Sequence, residues 1–156
     1  MSLFRAACFA WLTLLAMSAF GLIPARAAVK EDVVALYQSF VAAQNAHDLA
    51  AVARNFLDSE DFLWVSDGKS VWGRPSVLAR MSSFQQSEVW RVEPDLAHAR
   101  AVELGPDAAY LHLTLDLVIG AKAKPDRLPF LVSMLAVRTP AGWRIAALFT
   151  TTAKPE

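Results

Sequence analysis

This sequence has little cysteine, little histidine and no excess of basic charge, and each of these absences argues against a class of function. The 156 residues include one cysteine, three histidines, 15 basic residues and 15 acidic residues. A single cysteine can form neither an internal disulfide bond nor a cysteine-ligated zinc site. Three widely separated histidines also disfavour a catalytic zinc site. A net charge of zero argues against nucleic acid as a partner, because nucleic-acid-binding domains present a basic surface.

One uncharged apolar run, Cys8 to Ile23, lies near the N terminus. It falls short of the ~20 residues that a membrane-spanning helix needs. Arg5 precedes the run, Pro24 ends it, and Ala25-Arg26-Ala27 then supplies the small residues of a cleavage site. This order is typical of a secretory signal peptide. We therefore expect residues 1–27 to be removed on export.

The mature domain, residues 28–156, is then expected to be periplasmic or secreted, with no membrane association after cleavage. Loss of Arg5 and Arg26 lowers the number of basic residues to 13 against 15 acidic residues, a net charge of −2. Cys8 is lost as well, so the exported domain has no disulfide bond and must be held together by its hydrophobic core. A chain of about 130 residues is long enough to bury such a core in one domain.

Three helices are predicted in the first half of this domain. Lys30 to Ala46 carries apolar residues at helical spacing. These residues are Val33, Leu36, Tyr37, Phe40, Val41 and Ala43. Asp48 is suited to cap a second helix that ends near Leu57. Pro75 fits the first turn of a third helix that ends near Phe84.

The rest of the domain alternates strand patterns with turn signals. A short aromatic strand, Phe62 to Val65, is followed by the turn Ser66-Asp67-Gly68-Lys69 and a return strand, Ser70 to Gly73. Further strands are predicted at Glu88 to Leu104 (interrupted near Pro94-Asp95), Ala108 to Ile119, Leu128 to Arg138 and Trp143 to Thr152. Gly120 to Arg127 is predicted to be a polar loop.

Helices followed by a strand meander predict an α+β fold. We expect a strongly curved antiparallel sheet covered by three N-terminal helices. Together they would form a cone-shaped barrel with a pocket at its wide end. Four leucines of the strand Ala108 to Ile119 alternate with polar residues and would share one face. They are Leu111, Leu113, Leu115 and Leu117.

Several short motifs, in their order and spacing, resemble those of one superfamily. The motifs are His47-Asp48, Phe56-Leu57-Asp58, Asp61-Phe62, Gly68 before Trp72-Gly73-Arg74, and Gly142-Trp143-Arg144-Ile145. Together they resemble the nuclear transport factor 2-like superfamily, and within it the SnoaL-like group, which includes exported bacterial proteins. The resemblance covers nearly all of the mature domain.

The resemblance implies a cone-shaped α+β barrel, usually dimeric, with a cavity that binds or transforms small hydrophobic molecules. The superfamily includes steroid isomerases, polyketide cyclases, dehydratases and epoxide hydrolases, together with plain binding and scaffold domains. Fold alone therefore does not decide function. No cofactor is expected.

The steroid isomerases of this superfamily need a general base and two acidic hydrogen-bond donors near the substrate. By the spacing of the motifs, their helix tyrosine corresponds to Phe40 and their base to Trp64 or Val65. Their strand acid corresponds to a position near Ser133. None of these positions carries the required group. Steroid isomerisation is therefore not expected, and no catalytic residue is assigned.

Aromatic residues are the first candidates for ligand binding. Tyr37, Phe40 and Trp64 would form an aromatic pocket for a flat or hydrophobic ligand, and Trp72 would lie near its mouth. Ser133, at the position of the missing strand acid, is added to this set. The alternative is that these aromatic residues serve in the core and in dimer contacts.

His98 and Arg100 complete the predicted ligand-binding set. On the predicted strand they share a face with Leu96, Val102 and Leu104, while alanines occupy the other face. Polar groups on an apolar face need partners if they are buried, and a cavity could supply one. The alternative is an exposed or structurally paired position.

Other polar residues also have a structural alternative to a functional role. Asp67 suits the geometry of a hairpin turn, and Asp48 suits a helix cap. His112, Thr114 and Asp116 form a polar row that could bind a metal or shuttle protons. The same row would equally suit a solvated outer face of the sheet.

The strand from Leu128 to Arg138 is apolar on both faces. Phe130, Val132, Met134 and Ala136 form one face, and Leu131, Leu135 and Val137 form the other. One face can belong to the core, and the other then needs a cover. A homodimer interface is the simplest cover.

Three functional hypotheses follow. The first is an exported domain that binds a small hydrophobic molecule and has no catalytic set. The second is an enzyme of the cyclase, dehydratase or hydrolase type, with His98 or Asp116 as its general base. The third is a dimeric interaction module that docks a protein partner on the outer sheet face.

Overall fold

The computed structural model describes residues 25–154, and this part of the chain forms three helices and seven strands. The helices are α1 (Ala25–Asn45), α2 (Leu49–Asn55) and α3 (Arg74–Phe84). The strands are β1 (Leu63–Ser66), β2 (Lys69–Trp72), β3 (Val89–Pro94), β4 (Arg100–Gly105), β5 (Ala108–Ala121), β6 (Lys124–Thr139) and β7 (Gly142–Thr152). None of these helices is long and apolar enough to cross a membrane. The predicted signal peptide lies outside the described residues, except for residues 25–27, where α1 begins.

The first two helices follow the predicted periodicity and cap. Buried residues recur every three or four positions along α1, so one face of this helix packs against the sheet. They include Val33, Tyr37, Phe40 and Gln44. Asp48 precedes α2, and its Oδ1 accepts a hydrogen bond from the Ala51 N–H at 2.8 Å. This bond satisfies a donor that the helix itself leaves free. The predicted capping role of Asp48 is confirmed.

The hairpin of β1 and β2 turns at Asp67 and Gly68, which have positive φ values of 53° and 69°. Two successive residues with positive φ form a type I′ turn, whose twist suits a two-residue hairpin. β1 also pairs with β7, and this pair is parallel. The prediction of a wholly antiparallel sheet is therefore wrong at this pair. The sequence gives no sign of the pair, because β1 and β7 are far apart along the chain and no turn signal links them.

The strands form one curved, unclosed sheet in the order β2-β1-β7-β6-β5-β3, and β4 also pairs with β5. β3 and β4 lie along the same edge of β5, since Pro94 pairs with Leu115 and Arg100 pairs with His112. They are two halves of one interrupted strand, as predicted. Residues 95–99 form the interruption.

The predicted polar loop from Gly120 to Arg127 is wrong. β5 continues to Ala121 and β6 begins at Lys124, so a two-residue turn joins them. All residues from 121 to 129 are exposed. A strand that is exposed on both faces carries polar side chains and lacks the alternation by which a strand is recognised.

The three helices cover one face of the curved sheet, which we call the inner face. The four predicted leucines of β5 lie in the core or pack against it, whereas His112 and Thr114 are exposed on the opposite, outer face. Alternate residues of a strand point to opposite faces, so the leucines meet the helices. The result is the cone-like α+β fold predicted from the sequence.

Candidate functional site

A cavity of about 210 Å³ lies between the inner face of the sheet and helices α1 and α3. Its sheet wall consists of side chains that face each other across neighbouring strands. Trp90 pairs with Ile119 and Val92 pairs with Leu117, which pairs in turn with Leu128 on β6. Leu115, Phe130 and Val132 extend the same wall. The part of the cavity wall formed by β3, β5 and β6 is therefore a surface of hydrocarbon and indole.

The helix wall of the cavity carries both aromatic and polar side chains. Helix α1 contributes Tyr37, Phe40 and Gln44, and α3 contributes Met81 and Phe84. The ring centroids of Tyr37 and Phe40 are 5.9 Å apart. Burial raises the pKa of the Tyr37 hydroxyl far above its ordinary value, because the phenolate would be poorly solvated there. The hydroxyl therefore stays protonated and can donate a hydrogen bond.

Three aromatic rings form a connected group along one side of the cavity. Phe84 packs edge-on against Trp64, with centroids 6.2 Å apart, and stacks on Trp90, with centroids 6.1 Å apart and planes at 17°. Trp64 Nε1 donates to the Thr150 hydroxyl at 3.3 Å. Trp90 Nε1 is also buried, and no residue in the described part of the chain is its hydrogen-bond partner. The two indole N–H groups thus differ: that of Trp64 is hydrogen-bonded to Thr150, and that of Trp90 is bonded to no described residue.

The turn between β1 and β2 borders the cavity and carries Asp67, the one carboxylate among the described residues that line it. Asp67 Oδ2 lies 3.5 Å from Arg80 Nη2 and accepts a hydrogen bond from Ser66 Oγ at 3.3 Å. The Arg80 guanidinium lies over the rings of Trp64 and Phe84, 5.2 Å and 5.4 Å from their centroids. The Asp67 side chain is 58% exposed. We call this rim of Asp67 and Arg80 the mouth, and its carboxylate contacts Arg80 and the Ser66 hydroxyl.

Three of the seven residues predicted to bind a ligand line the cavity: Tyr37, Phe40 and Trp64. The resemblance in sequence predicts that Phe40 and either Trp64 or Val65 stand where steroid isomerases carry an acid and a base. Of the two alternatives for the base position, Trp64 is buried in the cavity wall, while Val65 is half-buried on the outer face. Phe40 thus presents an apolar ring to the cavity, and Trp64 presents an indole whose N–H is bonded to Thr150.

Trp72 and Ser133 lie outside the cavity lining, contrary to the prediction. Trp72 is 57% exposed and pairs with Leu63, so it shares the outer face. Ser133 also lies on the outer face, where its hydroxyl is 3.0 Å from His112 Nδ1. Because faces alternate along a strand, the inward neighbour Val132 lines the cavity instead.

The prediction that His98 and Arg100 face a pocket is wrong. The His98 side chain is 84% exposed, and its Nδ1 lies 2.7 Å from Asp95 Oδ2. Arg100 is exposed, whereas Ala99 and Ala101 pack into the core. The break between β3 and β4 resets the alternation, so the alanines point inward. The exposed and structurally paired alternative is the one observed.

The polar row of β5 belongs to the solvated outer face. Arg127 Nη1 donates to Asp116 Oδ2 at 2.6 Å, and Arg127 Nη2 lies 2.7 Å from Glu93 Oε2. His112 is exposed beside Ser133. Between residues 25 and 154, no group of three or more His, Cys, Asp or Glu side chains could hold a metal ion. Asp116 therefore belongs to a surface ion-pair network, away from the cavity.

Five polar residues of the cavity escaped prediction as site residues: Gln44, Ser66, Asp67, Trp90 and Thr150. Gln44 follows Tyr37 and Phe40 by seven and four residues, so helical spacing could have identified it. Trp90 requires the pairing of β3 with β5, which orients it beside Ile119. Ser66 and Thr150 require the parallel pairing of β1 with β7. For these three, no local signal in the sequence was available.

Comparison with protein families identifies one domain. A family model described as a SnoaL-like domain matches residues 33–148, which include both helical walls and nearly all of the sheet. Comparison with curated proteins finds no match.

Solved structures share the fold at low sequence identity. A candidate dehydratase of the nuclear transport factor 2-like family from Streptomyces avermitilis is 18% identical, with a TM-score of 0.73 over 83% of this chain and 99% of that one. A protein with a cystatin-like fold from Caulobacter vibrioides is 21% identical, with a TM-score of 0.69 over 80% and 89%. A ketosteroid isomerase-like protein from Erwinia carotovora atroseptica is 17% identical, with a TM-score of 0.66 over 81% and 97%. These similarities show a common fold and leave the activity open.

Proposed function

This chain belongs to the SnoaL-like domain family, and we propose that it binds a small hydrophobic molecule in the cavity between α1, α3 and the sheet. The observation that carries this proposal is the open volume of about 210 Å³ with a mostly apolar wall. Small-molecule sites are concave and mostly apolar, with a few polar groups that orient the ligand. Tyr37 and Gln44 are suited to be those polar groups.

The titratable groups along the cavity favour binding over catalysis. A general base must be deprotonated and within hydrogen-bond reach of the substrate. Tyr37 stays protonated, because burial raises the pKa of its hydroxyl. Asp67 lies at the mouth, where it is exposed and faces Arg80. His98 and Asp116, the two bases considered from the sequence, lie on the exposed surface.

Blocking the cavity tests this proposal. Leu117→Trp adds an indole to the sheet wall and should abolish binding of 2-ethylnaphthalene, measured by saturation-transfer NMR, because the added ring occupies the ligand volume. Thr114→Trp is the matched control, since it adds the same ring to the exposed outer face of the same strand. We expect the control to bind 2-ethylnaphthalene as the unchanged protein does.

Two results would contradict the proposal. One is a wild-type protein that does not bind the probe, and the other is a Leu117→Trp variant that binds it unchanged. Native mass spectrometry of protein purified from its own source adds a direct measurement. A retained small molecule that is absent from Leu117→Trp would support the cavity as its site. Turnover of that molecule by the wild-type protein would instead favour the dehydratase or hydrolase alternative.

We also propose that the protein works outside the cytoplasm and as a homodimer. The support for export is the signal-peptide pattern of residues 1–27, and the support for a dimer is the set of apolar side chains on one part of the outer face of the sheet, among them the exposed Trp72. Intact mass measurement of protein from the periplasmic fraction tests the first proposal. The expected mature N terminus is Ala28, and a full-length chain retained in the cytoplasm would contradict export.

A further inference from the structure

A second concave site, a cleft of about 360 Å³, lies where the end of α2, the start of α3 and the β6–β7 hairpin meet. Three of the residues that line it are arginines: Arg54, Arg74 and Arg144. Asp58 is the one carboxylate among its described lining residues, so three positive charges and one negative charge give the lining a net charge of +2. The whole chain, by contrast, has 15 basic and 15 acidic residues. We call this site the arginine cleft, and it shares no described lining residue with the apolar cavity.

Backbone contacts bring the segments of the arginine cleft together, although these segments are far apart in sequence. Three of the motifs recognised in the sequence meet here: Phe56-Leu57-Asp58, Trp72-Gly73-Arg74 and Gly142-Trp143-Arg144-Ile145. Phe56 forms a parallel bridge with Ile145, and the Leu57 N–H donates to the Ile145 carbonyl at 2.7 Å. The Arg74 N–H donates to the Ser59 carbonyl at 3.2 Å. Like charges that a fold gathers in this way repel each other, and a bound anion relieves that repulsion.

The three guanidinium groups are accessible and keep most of their donors free. The Arg74 side chain is 28% exposed, and its Nη2 lies 2.7 Å from Asp58 Oδ1. Arg144 is half-buried, and its Nη1 donates to the Trp143 carbonyl at 2.7 Å. Arg54 is exposed in the last turn of α2 and pairs with no carboxylate in the described part of the chain. A guanidinium carries five N–H donors, so each of the three has several left for a ligand.

The chemistry of the lining favours a phosphate group. Arginine binds carboxylates and phosphates through paired hydrogen bonds. A phosphate monoester carries close to two negative charges and three acceptor oxygens, so it matches the net charge of the lining and can accept from three guanidinium groups at once. Thr139 also lines the cleft, but its hydroxyl donates to the Gly142 carbonyl at 2.8 Å and accepts from the Ala141 N–H at 3.2 Å. The guanidinium groups are therefore the donors left for the anion.

We propose that the arginine cleft binds a phosphate dianion, either free or as the monoester of a small organic molecule, through Arg54, Arg74 and Arg144. The contacts that Arg74 and Arg144 make within the protein restrict their side chains before a ligand binds, and such preorganisation favours affinity. The site is separate from the apolar cavity, so this inference does not depend on the proposed function.

Titration with inorganic phosphate and with phenyl phosphate tests the inference and distinguishes the two sources of the anion. Affinities are measured by NMR titration at low salt and about pH 8, because the second pKa of a phosphate monoester is about 6. Arg54→Gln should weaken binding of both probes about tenfold, the loss expected for a charged hydrogen-bond donor. Arg100→Gln is the matched control, since it removes the same charge from an exposed position outside the cleft. It should change the affinities less than about twofold.

Asp58→Asn gives a result that a merely structural role of the Arg74–Asp58 ion pair does not predict. The variant removes the carboxylate that competes with the ligand for Arg74. It should therefore strengthen phosphate binding about two- to fivefold. A second measurement does not depend on any variant folding. In the wild-type protein, the side-chain ¹Hε–¹⁵Nε resonances of Arg54, Arg74 and Arg144 should move with phosphate, and that of Arg100 should not.

The outcomes decide the inference separately from the proposed function. It fails if neither probe binds the wild-type protein at about 10 mM, or if Arg54→Gln and Arg100→Gln weaken binding equally. It also fails if phenyl sulfate, which has a similar shape and a single charge, binds as tightly as phenyl phosphate. Leu117→Trp, which blocks the apolar cavity, should bind phenyl phosphate unchanged; loss of binding there would place the probe in that cavity and overturn the inference. Equal affinities for the two phosphate probes would support free phosphate as the ligand, and tighter binding of phenyl phosphate would support a monoester.

Discussion

At the scale of single residues, an ion-pair network on the outer face links stability to pH. Arg91 Nε lies 2.6 Å from Glu93 Oε1, and Arg127 Nη2 lies 2.7 Å from Glu93 Oε2. Hydrogen bonds from Arg91 and then Arg127 hold the pKa of Glu93 below its ordinary value of 4.5. A carboxyl whose pKa is lowered by folding stabilises the protein above its unfolded pKa. That contribution is lost as the pH falls through the folded pKa.

Glu93→Gln should therefore narrow the stability difference between neutral and acidic pH. We expect the variant to be less stable than wild type at neutral pH, and this difference to shrink as the pH falls through the folded pKa of Glu93, where the wild-type carboxyl takes up a proton. Urea unfolding at the two pH values, at constant ionic strength, measures this. Glu103→Gln is the control, since Glu103 belongs to the same edge of the sheet but to none of these ion pairs. Equal effects of both variants at pH 7 would contradict the role of Glu93.

Among the residues predicted to bind a ligand, Tyr37, Phe40 and Trp64 line the cavity. The other four lie elsewhere. Phe40 and Trp64 were located because their spacing from recognisable motifs is short and unbroken. His98 and Arg100 were misplaced because residues 95–99 interrupt the strand and reset its alternation. Ser133 was misplaced by one position, which on a strand exchanges the two faces. Alternation is reliable only within an uninterrupted strand.

At the scale of elements, the β1–β2 turn supports the mouth of the cavity. Gly68 has a φ of 69°, and a Cβ added there would have no heavy atom within 4 Å. Substitution would therefore cost backbone strain without any steric clash. Gly68→Ala should lower the free energy of unfolding by about 1–2 kcal/mol, the cost of a left-handed conformation for a residue with a Cβ.

Gly105→Ala separates that strain from a general effect of losing a glycine. A Cβ at Gly105 also has no heavy atom within 4 Å, and its φ lies outside the left-handed range. We expect Gly105→Ala to leave stability unchanged or to raise it slightly, because alanine restricts the unfolded chain. Thermal and urea unfolding of the two variants give the comparison. Equal destabilisation by both would show that positive φ is not the cause.

Local signals predicted most elements, and long-range pairing explains the failures. The cap at Asp48 and the turn at Asp67-Gly68 are decided by neighbouring residues, and both were found. The parallel pair of β1 and β7 depends on residues at opposite ends of the domain. The exposed end of the β5–β6 hairpin has no buried face, so it lacks the alternation that identifies a strand. Periodicity in a sequence arises from the burial of one face of an element, so it cannot identify a strand that is exposed on both faces.

At the scale of the whole molecule, the outer face carries an apolar row that crosses six strands. Each member pairs with the next through the sheet register, from β2 to β4. The row consists of Trp72, Leu63, Ala147, Leu135, Tyr110 and Val102. Trp72 is exposed at one end, and Leu104 lies exposed near the other. Contiguous apolar surface of this kind marks an interface on soluble proteins.

A second copy of the chain is the cover that we propose for the apolar row, because a self-complementary face closes a twofold dimer. Leu135→Asp places a charge at the centre of the row and should convert the dimer to a monomer. Lys124→Asp is the control, since it also introduces a carboxylate on β6 but at the exposed end of the hairpin. Light scattering after size-exclusion chromatography measures the mass of each variant, and circular dichroism verifies that Leu135→Asp remains folded.

Two results would contradict a homodimer interface at the apolar row. One is a wild-type protein that is monomeric at micromolar concentration, and the other is a folded Leu135→Asp variant that stays dimeric. Because the row and the cavity lie on opposite faces of the same sheet, a monomeric Leu135→Asp variant should still bind 2-ethylnaphthalene.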